Sequence, residues 1–572
     1  MATTVTANGP EYLVEEKIWG HRLYNEQSGP MVVLEFFNVL QFLSFQKFDS
    51  LLRDSGKLNC RHRQPLSYES YRRMTLRTLL FNNPYIEYID QTCEQPWKKW
   101  EEYFAEPDSP YSDDLQNRQD KTQASTNHRL LNNWRKEGSW NSAYLRKAFG
   151  NGVDHDNWDS FKNFADILKL IRSCSFNVSS NKRWTSLFVF PWGKDCIFAE
   201  TDEHGSPDKR FFGRSGELLY ILLSYADHRN ELEDLIKQLY FDTQHPLNRI
   251  CKVLQGEPTS SHEFNEVRLS NQGAFGPEKE TKGLYRRANL LCDDLIALLK
   301  SRLPSEDLFA HLSRIIGLHL LCYFFERAKE ATNPEFYCES CDPLELKNDQ
   351  NYSFFCEILA TKMNSIRHAS QTNYRENQNL STAAIKFYID SNFASLIKEA
   401  QESSQDDDLD MCLVRVKEQF YSRFSIRQTK RSDYENITSS EELKKVFVDK
   451  VRRRHEQHWG KVAHEYGKAI GLASRSGTNR YRYCPNDELI ISLMLANVES
   501  DRILLNEFLQ KLYDKYHIII GFPGSKEFNL RLNESDINQN VERFKTRLKS
   551  LGLLETLSDG YDFVQNSFFV RS

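Results

Sequence analysis

Three sets of side chains have the types and spacings that could do chemistry. His455 and His458 in "RHEQHWGK" stand three apart on one helical face, a geometry able to hold a metal. The zinc-protease pattern needs histidines at i and i+4 with glutamate after the first, so the spacing favours a solvated charged helix instead. Cys338 and Cys341 form a C-x-x-C in "EFYCESCDP", with Cys322 and Cys356 on either side. A structural zinc would use four thiolates, but a second C-x-x-C is missing and the flanking cysteines fall inside apolar helical patterns, which points to buried thiols. Asp195, Glu200 and Asp202 are the acids available to a metal-dependent nuclease of the Asp…Glu-x-Lys type. Glu200 is followed by Thr201 and Asp202, with no lysine to meet the attacked phosphate.

Two loops imitate catalytic motifs and miss their spacing. "GFPGSK" at Gly521 to Lys526 lacks the GxxxxGK[ST] frame of a phosphate loop. "GRSG" at Gly213 to Gly216 lacks the spacing of a nucleophile elbow, and Ser215 reads as a helix cap. These residues designate no catalytic centre, metal or cofactor.

The basic residues are more informative. "KKVFVDKVRRRHEQHWGKVAHEYGKAIGLASRSGTNRYRY" concentrates Arg452, Arg453, Arg454, Arg475, Arg480 and Arg482 against few acids, and interleaves the last of them with Tyr481 and Tyr483. That mixture suits backbone phosphates and stacking. The competing reading is a solvated helix face whose aliphatic stems lie on the core. Near the end, "NVERFKTRLKSLGLLETLSDGYDFVQN" reads as a helix running into a hairpin across Ser558-Asp559-Gly560. Its helix, Ile537 to Leu551, hides Val541, Phe544 and Leu548 and presents Arg543, Lys545, Arg547 and Lys549 outward.

Two helices precede it. One starts at an Asn486 cap, and the other runs Ile503 to Tyr516 with Leu504, Leu505, Phe508, Leu509 and Leu512 inward. Three helices and a hairpin wing are the order of a winged helix-turn-helix, and its third helix would meet duplex DNA at phosphates and base edges. The connection "HIIIGFPGSKEFNLRLNESD" is longer than such folds use, so an inserted strand or loop is expected there. From Asp487 onward acids slightly outnumber lysines and arginines, which favours the alternative of a protein-docking module.

The elements that must position these groups are mostly helical. Met31 to Leu52 carries Val33, Phe36, Phe37, Leu40, Leu43 and Leu51 at helical spacing, and Tyr68 to Phe81 reads as a helix stopped by Pro84. Further helices are expected over 218–239, 284–303, 308–331, 352–367, 381–402, 413–424 and 440–470. The clearest central strand signal is "RWTSLFVFPWGKDCIFAETD", two aromatic runs around Pro191 to Lys194, read as a hairpin over 184–202. The expected architecture is therefore a mainly α, multi-domain helical protein with a small central β-hairpin element and a C-terminal winged helix-turn-helix. Its domains are read as 1–152 (helical), 153–402 (mostly helical with the hairpin), 403–484 (basic helical connector, after the acidic "QESSQDDDLD") and 485–572 (winged helix).

Composition bounds the rest. With 572 residues, 40% hydrophobic and 13% aromatic, the chain folds as a globular protein of several domains. A formal charge of -5 excludes a uniformly basic nucleic-acid coat, so any such binding is local. Twelve dispersed cysteines and an N-terminus without a basic-then-apolar leader suit reduced thiols and a cytoplasmic location. The apolar run "MVVLEFFNVLQFLSF" is too short and too interrupted for a bilayer span, and no membrane association is expected.

Four stretches, "SNKRWTSLFVFPWGKDCIF", "KRFFGRSGELLY", "ANVESDRILLNEFLQKLYDKYHIIIG" and "LGLLETLSDGYDFVQN", are similar to a family of large, uncharacterised bacterial proteins. These are encoded in multi-gene anti-phage defence clusters with ATPases or helicases. The resemblance runs from about Glu11 to the end, and it implies a subunit of a multi-protein system while supplying no catalytic residues. Together with the basic face it leads to one expectation, a non-catalytic DNA-binding or adaptor subunit that docks an ATPase, helicase or nuclease partner and engages double-stranded DNA. A protein-only scaffold and a divergent metal-dependent nuclease are the alternatives.

Overall fold

The computed structural model describes residues 13–20, 29–54, 66, 68–71, 175–176, 188–189, 192–197, 215–255, 264–267, 281–332, 352–358, 365–402, 409–457, 459–477, 479–521, 532, 534–558 and 560–568. In chain order the helices are α1 (Leu13–Trp19), α2 (Pro30–Phe42), α3 (Phe45–Asp54), α4 (Ser215–Leu223), α5 (Arg229–Tyr240), α6 (Pro246–Gln255), α7 (Lys282–Leu299) and α8 (Ser305–Glu330). They continue with α9 (Ser365–Glu402), α10 (Leu409–Arg423), α11 (Gln428–Arg431), α12 (Ser440–Gln457), α13 (Trp459–Ala469), α14 (Asp487–Asn497), α15 (Leu505–Tyr516) and α16 (Glu534–Ser550). The strands are β1 (Tyr68–Tyr71), β2 (Ser175–Phe176), β3 (Phe188–Val189), β4 (Phe264–Val267), β5 (Phe354–Phe355), β6 (Ala473–Ser474), β7 (Arg482–Tyr483), β8 (Arg502–Leu504), β9 (Ile518–Ile519), β10 (Leu554–Thr556) and β11 (Asp562–Gln565). The protein is mainly α and multi-domain, as its periodicity predicts, and divides into two compact units.

The larger unit gathers Met1–Ser67, Gly213–Ile236 and Leu269–Ser572. At its centre is α8, whose start carries Glu306 and Asp307 and whose end carries Arg327 and Lys329, charges that complement the helix dipole. By length and composition α8 could cross a bilayer, but 83% of its most apolar window is buried inside the fold. Its buried His319, Glu326 and Arg327 all have charged or hydrogen-bonding partners, as a core helix of a globular domain requires. Helix α7 packs beside it, capped by Thr281, whose hydroxyl accepts from Leu284 N at 3.1 Å.

The apolar run near the N-terminus is two helices rather than one. Leu43 leaves helical geometry and the Ser44 hydroxyl accepts from Lys47 N at 3.1 Å, so Ser44 starts α3 where a continuous α2 was expected. Helix α2 is buried almost all round and crosses α4 closely. A Cβ on Gly216 would fall 2.6 Å from both Glu35 Cβ and Phe36 N, so only glycine fits, and Gly216 N donates to Glu35 Oε2 at 2.8 Å. Helix α1 is fastened by Trp19, whose indole donates to Phe324 O at 3.0 Å and stacks on Phe324 with ring centroids 5.1 Å apart.

Two expected helices are partly strand. Tyr68–Tyr71 pairs antiparallel with Phe264–Val267, and residues 72–81 of that expectation lie outside the described residues. Phe354–Phe355 pairs in parallel with Ile518–Ile519, and α9 begins only at Ser365. Residues 353–356 satisfy their backbone groups across the chain: Phe354 N donates to His517 O and Cys356 N to Ile519 O, both at 2.8 Å. Long-range pairing overrides local helical spacing there.

The smaller unit, Tyr68–Phe212 with Lys237–Arg268, contains the β1–β4 pair. Phe188–Val189 pairs antiparallel with Ser175–Phe176, an upstream partner the expected hairpin did not include. Lys194–Cys196 is a 3-10 turn, and residues 198–202 lie outside the described residues.

The C-terminal segment follows the order helix, strand, helix, strand, helix, strand, strand. Asn486 caps α14 by accepting from Leu489 N at 2.9 Å. Strands β10, β11 and β8 form one antiparallel sheet in that order, with Val564 opposite both Leu554 and Ile503. Strand β9 lies in the long connection between α15 and α16, where an inserted strand or loop was expected. Asn540 of α16 ties this segment down, donating to Cys356 O at 3.0 Å and Ile520 O at 2.8 Å and accepting from Ile358 N at 2.9 Å.

Candidate nucleic-acid interface

Helix α9 explains how the basic connector is held. Its sequence "SIRHASQTNYRENQNLS" is rich in Ser, Asn and Gln, residues that usually compete with helical hydrogen bonding. One face docks those groups against the strands: Asn373 Oδ1 accepts from Phe355 N at 2.9 Å, and Asn377 Nδ2 donates to Ser353 O at 2.8 Å. Ser370 Oγ donates to Tyr483 O at 3.1 Å and accepts from Tyr483 N at 3.0 Å. The neighbouring stripe, His368, Gln371, Arg375 and Gln378, repeats every three or four residues and faces a cavity of about 660 Å³.

The opposite wall comes from the β6–β7 hairpin, where Gly477 turns the chain at φ +71°, a conformation glycine adopts without cost. This loop delivers Arg480 and Tyr481 to the cavity. Tyr481 stacks on Tyr374 with centroids 5.7 Å apart, meets His464 edge-on at 4.2 Å, and lies under the Arg475 guanidinium at 5.6 Å. Tyr374 Oη is 2.9 Å from His464 Nδ1. Burial, with the charges of Lys468 and Arg475 and against the pull of Glu465, holds the His464 imidazole below its ordinary value, so the ring is neutral at physiological pH. Burial likewise pushes the Tyr374 phenol up and keeps it protonated. Arg375 and Arg480 are exposed cations, and among the described residues that line the cavity there is no aspartate or glutamate.

Arg482, grouped by sequence with the surface arginines, is fully buried, so its charge faces Glu357 and not solvent. Arg367 meets the other oxygen of Glu357 at 2.9 Å, and Arg482 Nη1 donates to Ser476 O at 2.9 Å. It thereby pins the loop that carries Arg475, Arg480 and Tyr481. Tyr483 is also buried, and its side chain serves the core.

The remaining sequence-selected residues fall in two places. On α12, Arg452 and Arg453 are exposed; Arg452 has Asp449 and Glu456 each at 3.7 Å, and Arg454 is half-buried and donates to Gln457 at 3.0 Å. On α16, Lys545 Nζ contacts Glu542 at 2.8 Å and Asp562 at 3.0 Å, contacts that raise its pKa, chiefly through Glu542. Arg547 is paired with Asp487 at 2.5 Å, Arg543 is half-buried, and Lys549 is exposed. Two of the four cations expected on this face, Lys545 and Arg547, are thus matched by acids of their own module.

The candidate catalytic groups have structural partners. His455 is buried rather than solvated: its Nδ1 lies 3.0 Å from Glu15 Oε1, its Nε2 2.8 Å from Ser381 Oγ, and its ring stacks on Trp19. His458, Cys338, Cys341, Glu200 and Asp202 lie outside the described residues. Asp195 exchanges two hydrogen bonds with Asn248, at 2.8 Å to its backbone N and 3.0 Å to its carboxylate. Among the described residues no group of three or more His, Cys, Asp or Glu side chains is placed to hold a metal ion. Cys322 and Cys356 are buried thiols.

Sequence reasoning missed the α9 stripe. Its signal was present in the spacing of His368, Gln371, Arg375 and Gln378, but the stretch falls between the helices expected over 352–367 and 381–402. No protein-family model matches the chain, and no curated protein matches it.

Proposed function

We propose that this protein is a non-catalytic DNA-binding or adaptor subunit of a bacterial anti-phage defence complex, working beside an ATPase, helicase or nuclease. The C-terminal module is read as a winged helix: the helix order and the β10-β11-β8 sheet support that reading. The observation that carries the nucleic-acid part is the exposure of Arg452 and Arg453 on α12, Lys549 on α16, and Arg475 and Arg480 on the β6–β7 loop. Exposed arginines and lysines on rigid elements are the groups that meet backbone phosphates. The defence assignment rests on the resemblance of the quoted motifs.

The test is fluorescence anisotropy of the full chain with a labelled random duplex across a salt series. Affinity that falls steeply with salt, and a shallower salt slope for R452E/R453E/K549E, are the expected results. Absence of binding by the parent chain would sink the DNA reading.

One observation favours a protein-docking scaffold as the second reading. Lys545 and Arg547 are already matched by Glu542, Asp562 and Asp487, so a phosphate at α16 would compete with fixed carboxylates. Co-purification of a partner that survives high salt, with no duplex binding, is what that reading requires.

A further inference from the structure

We infer that the cavity between α9 and the β6–β7 loop is a binding site for an unpaired aromatic base carrying a phosphate. Its volume of about 660 Å³ falls inside the roughly 300–1,000 Å³ of small-ligand sites. Two chemistries meet in it. Arg375 and Arg480 bring exposed guanidinium groups to opposing walls, with no carboxylate among the described lining residues, which suits an anion. Tyr481, braced by Tyr374 and His464 and overlaid by the Arg475 guanidinium, supplies flat surfaces on which a base stacks.

A third group gives the cavity a polar edge reader. Gln378 lines it and holds its amide Nε2 out of solvent with no hydrogen-bond partner among the described residues. Orphaned buried donors are costly, and an acceptor on a ligand base would satisfy this one. The wall is also stiff, because Arg482 fixes the loop through Ser476 and Ser370 fixes Tyr483 beside it. A preformed site loses little entropy on binding.

This site shares Arg480 with the duplex reading, while Arg452, Arg453 and Lys549 do not line it. The base and phosphate could belong to a single strand or to a free nucleotide, and the probes separate these. The full-length chain is titrated with a labelled ten-nucleotide oligothymidylate, with thymidine monophosphate, with inorganic phosphate and with a blunt duplex. Expected is oligothymidylate binding that weakens about tenfold or more in R375E/R480E and in Y481L, while circular dichroism stays at parent values and R375E alone, at a residue outside the duplex reading, keeps duplex binding at the parent value.

Competition by thymidine monophosphate at comparable concentration supports the site with a free nucleotide as its source, and competition only by the oligomer supports it with a strand. Inorganic phosphate that binds as tightly as the monophosphate overturns the stacking half. Oligothymidylate binding that is absent, or unchanged in both R375E/R480E and Y481L, overturns the site. Because Arg375 and Arg480 are exposed, R375E/R480E is expected to fold even if Y481L is not, which keeps the experiment decisive.

Discussion

The carboxylate of Asp294 in α7 accepts a hydrogen bond from the phenol of Tyr516 at the end of α15, at 2.5 Å, with both residues fully buried. The same carboxylate meets Lys515 Nζ at 2.5 Å and His319 Nε2 at 2.8 Å. Burial would raise its pKa, but the contacts with His319 and Lys515 bring it below the usual carboxylate value. One side chain therefore joins α7, α8 and α15. Asp294→Ala leaves these donors buried without their acceptor and is expected to cost about 3–5 kcal/mol. Urea unfolding followed by circular dichroism measures it; a loss below about 1 kcal/mol would show that the network relaxes without its centre.

Acid should destabilise the larger unit in two stages. His311, in contact with Ser492 Oγ at 2.8 Å, has its pKa lowered from 6.5 to about 4 by burial and by Arg314. An unfolded chain binds that proton first, so stability is lost as pH falls from about 6.5 toward 4. For Glu326, burial alone would raise the pKa, but the Arg287 charge and the nearby His517 bring it down to about 2. Its contribution is present above the unfolded value of 4.5 and is lost between 4.5 and about 2. Melting temperature measured against pH should decline through both windows, and H311Q should flatten only the upper one. A profile unchanged by H311Q between pH 6.5 and 4 would contradict the assignment.

Arg482 and Arg452 should part company under mutation. Arg482→Met removes a buried partner of Glu357 and the donor that pins Ser476, so a stability loss of about 3–5 kcal/mol is expected. Duplex affinity per folded molecule should fall less than in Arg452→Glu, since this guanidinium faces the core and acts only by pinning the loop of Arg475 and Arg480. Arg452→Glu should do the reverse, leaving the melting temperature within a degree or two and lowering duplex affinity. Thermal melts and anisotropy titrations on both variants decide it, and equal affinity losses would place Arg482 at the interface after all.

The helical class was legible because α2, α8 and α15 bury apolar residues at helical spacing, and the Asn486 cap and the C-terminal hairpin are local signals. Strands β5 and β9 were not, since two residues each carry no period and their pairing spans the chain. The buried role of His455 was hidden for the same reason: its partners Glu15 and Ser381 are remote in sequence. Arg482 looked like its neighbours Arg475 and Arg480 because residue type does not record direction. Arg480 and Tyr481 stay on the loop that faces the cavity, whereas Arg482 opens β7 and turns inward to Glu357, a partner remote in sequence.

The parallel pairing of Phe354–Phe355 with Ile518–Ile519 also sets a timetable for synthesis. A ribosome must release residue 519 before that sheet can close, and residue 540 before Asn540 can bond Cys356 O. Until then Phe354, Phe355 and much of α8 lack part of their cover, so the nascent chain holds apolar surface open over a long stretch of translation. Contacts between such distant segments also fold slowly once released. The demand for chaperones should accordingly peak late, and chains truncated before residue 519 should aggregate rather than persist as a smaller folded form.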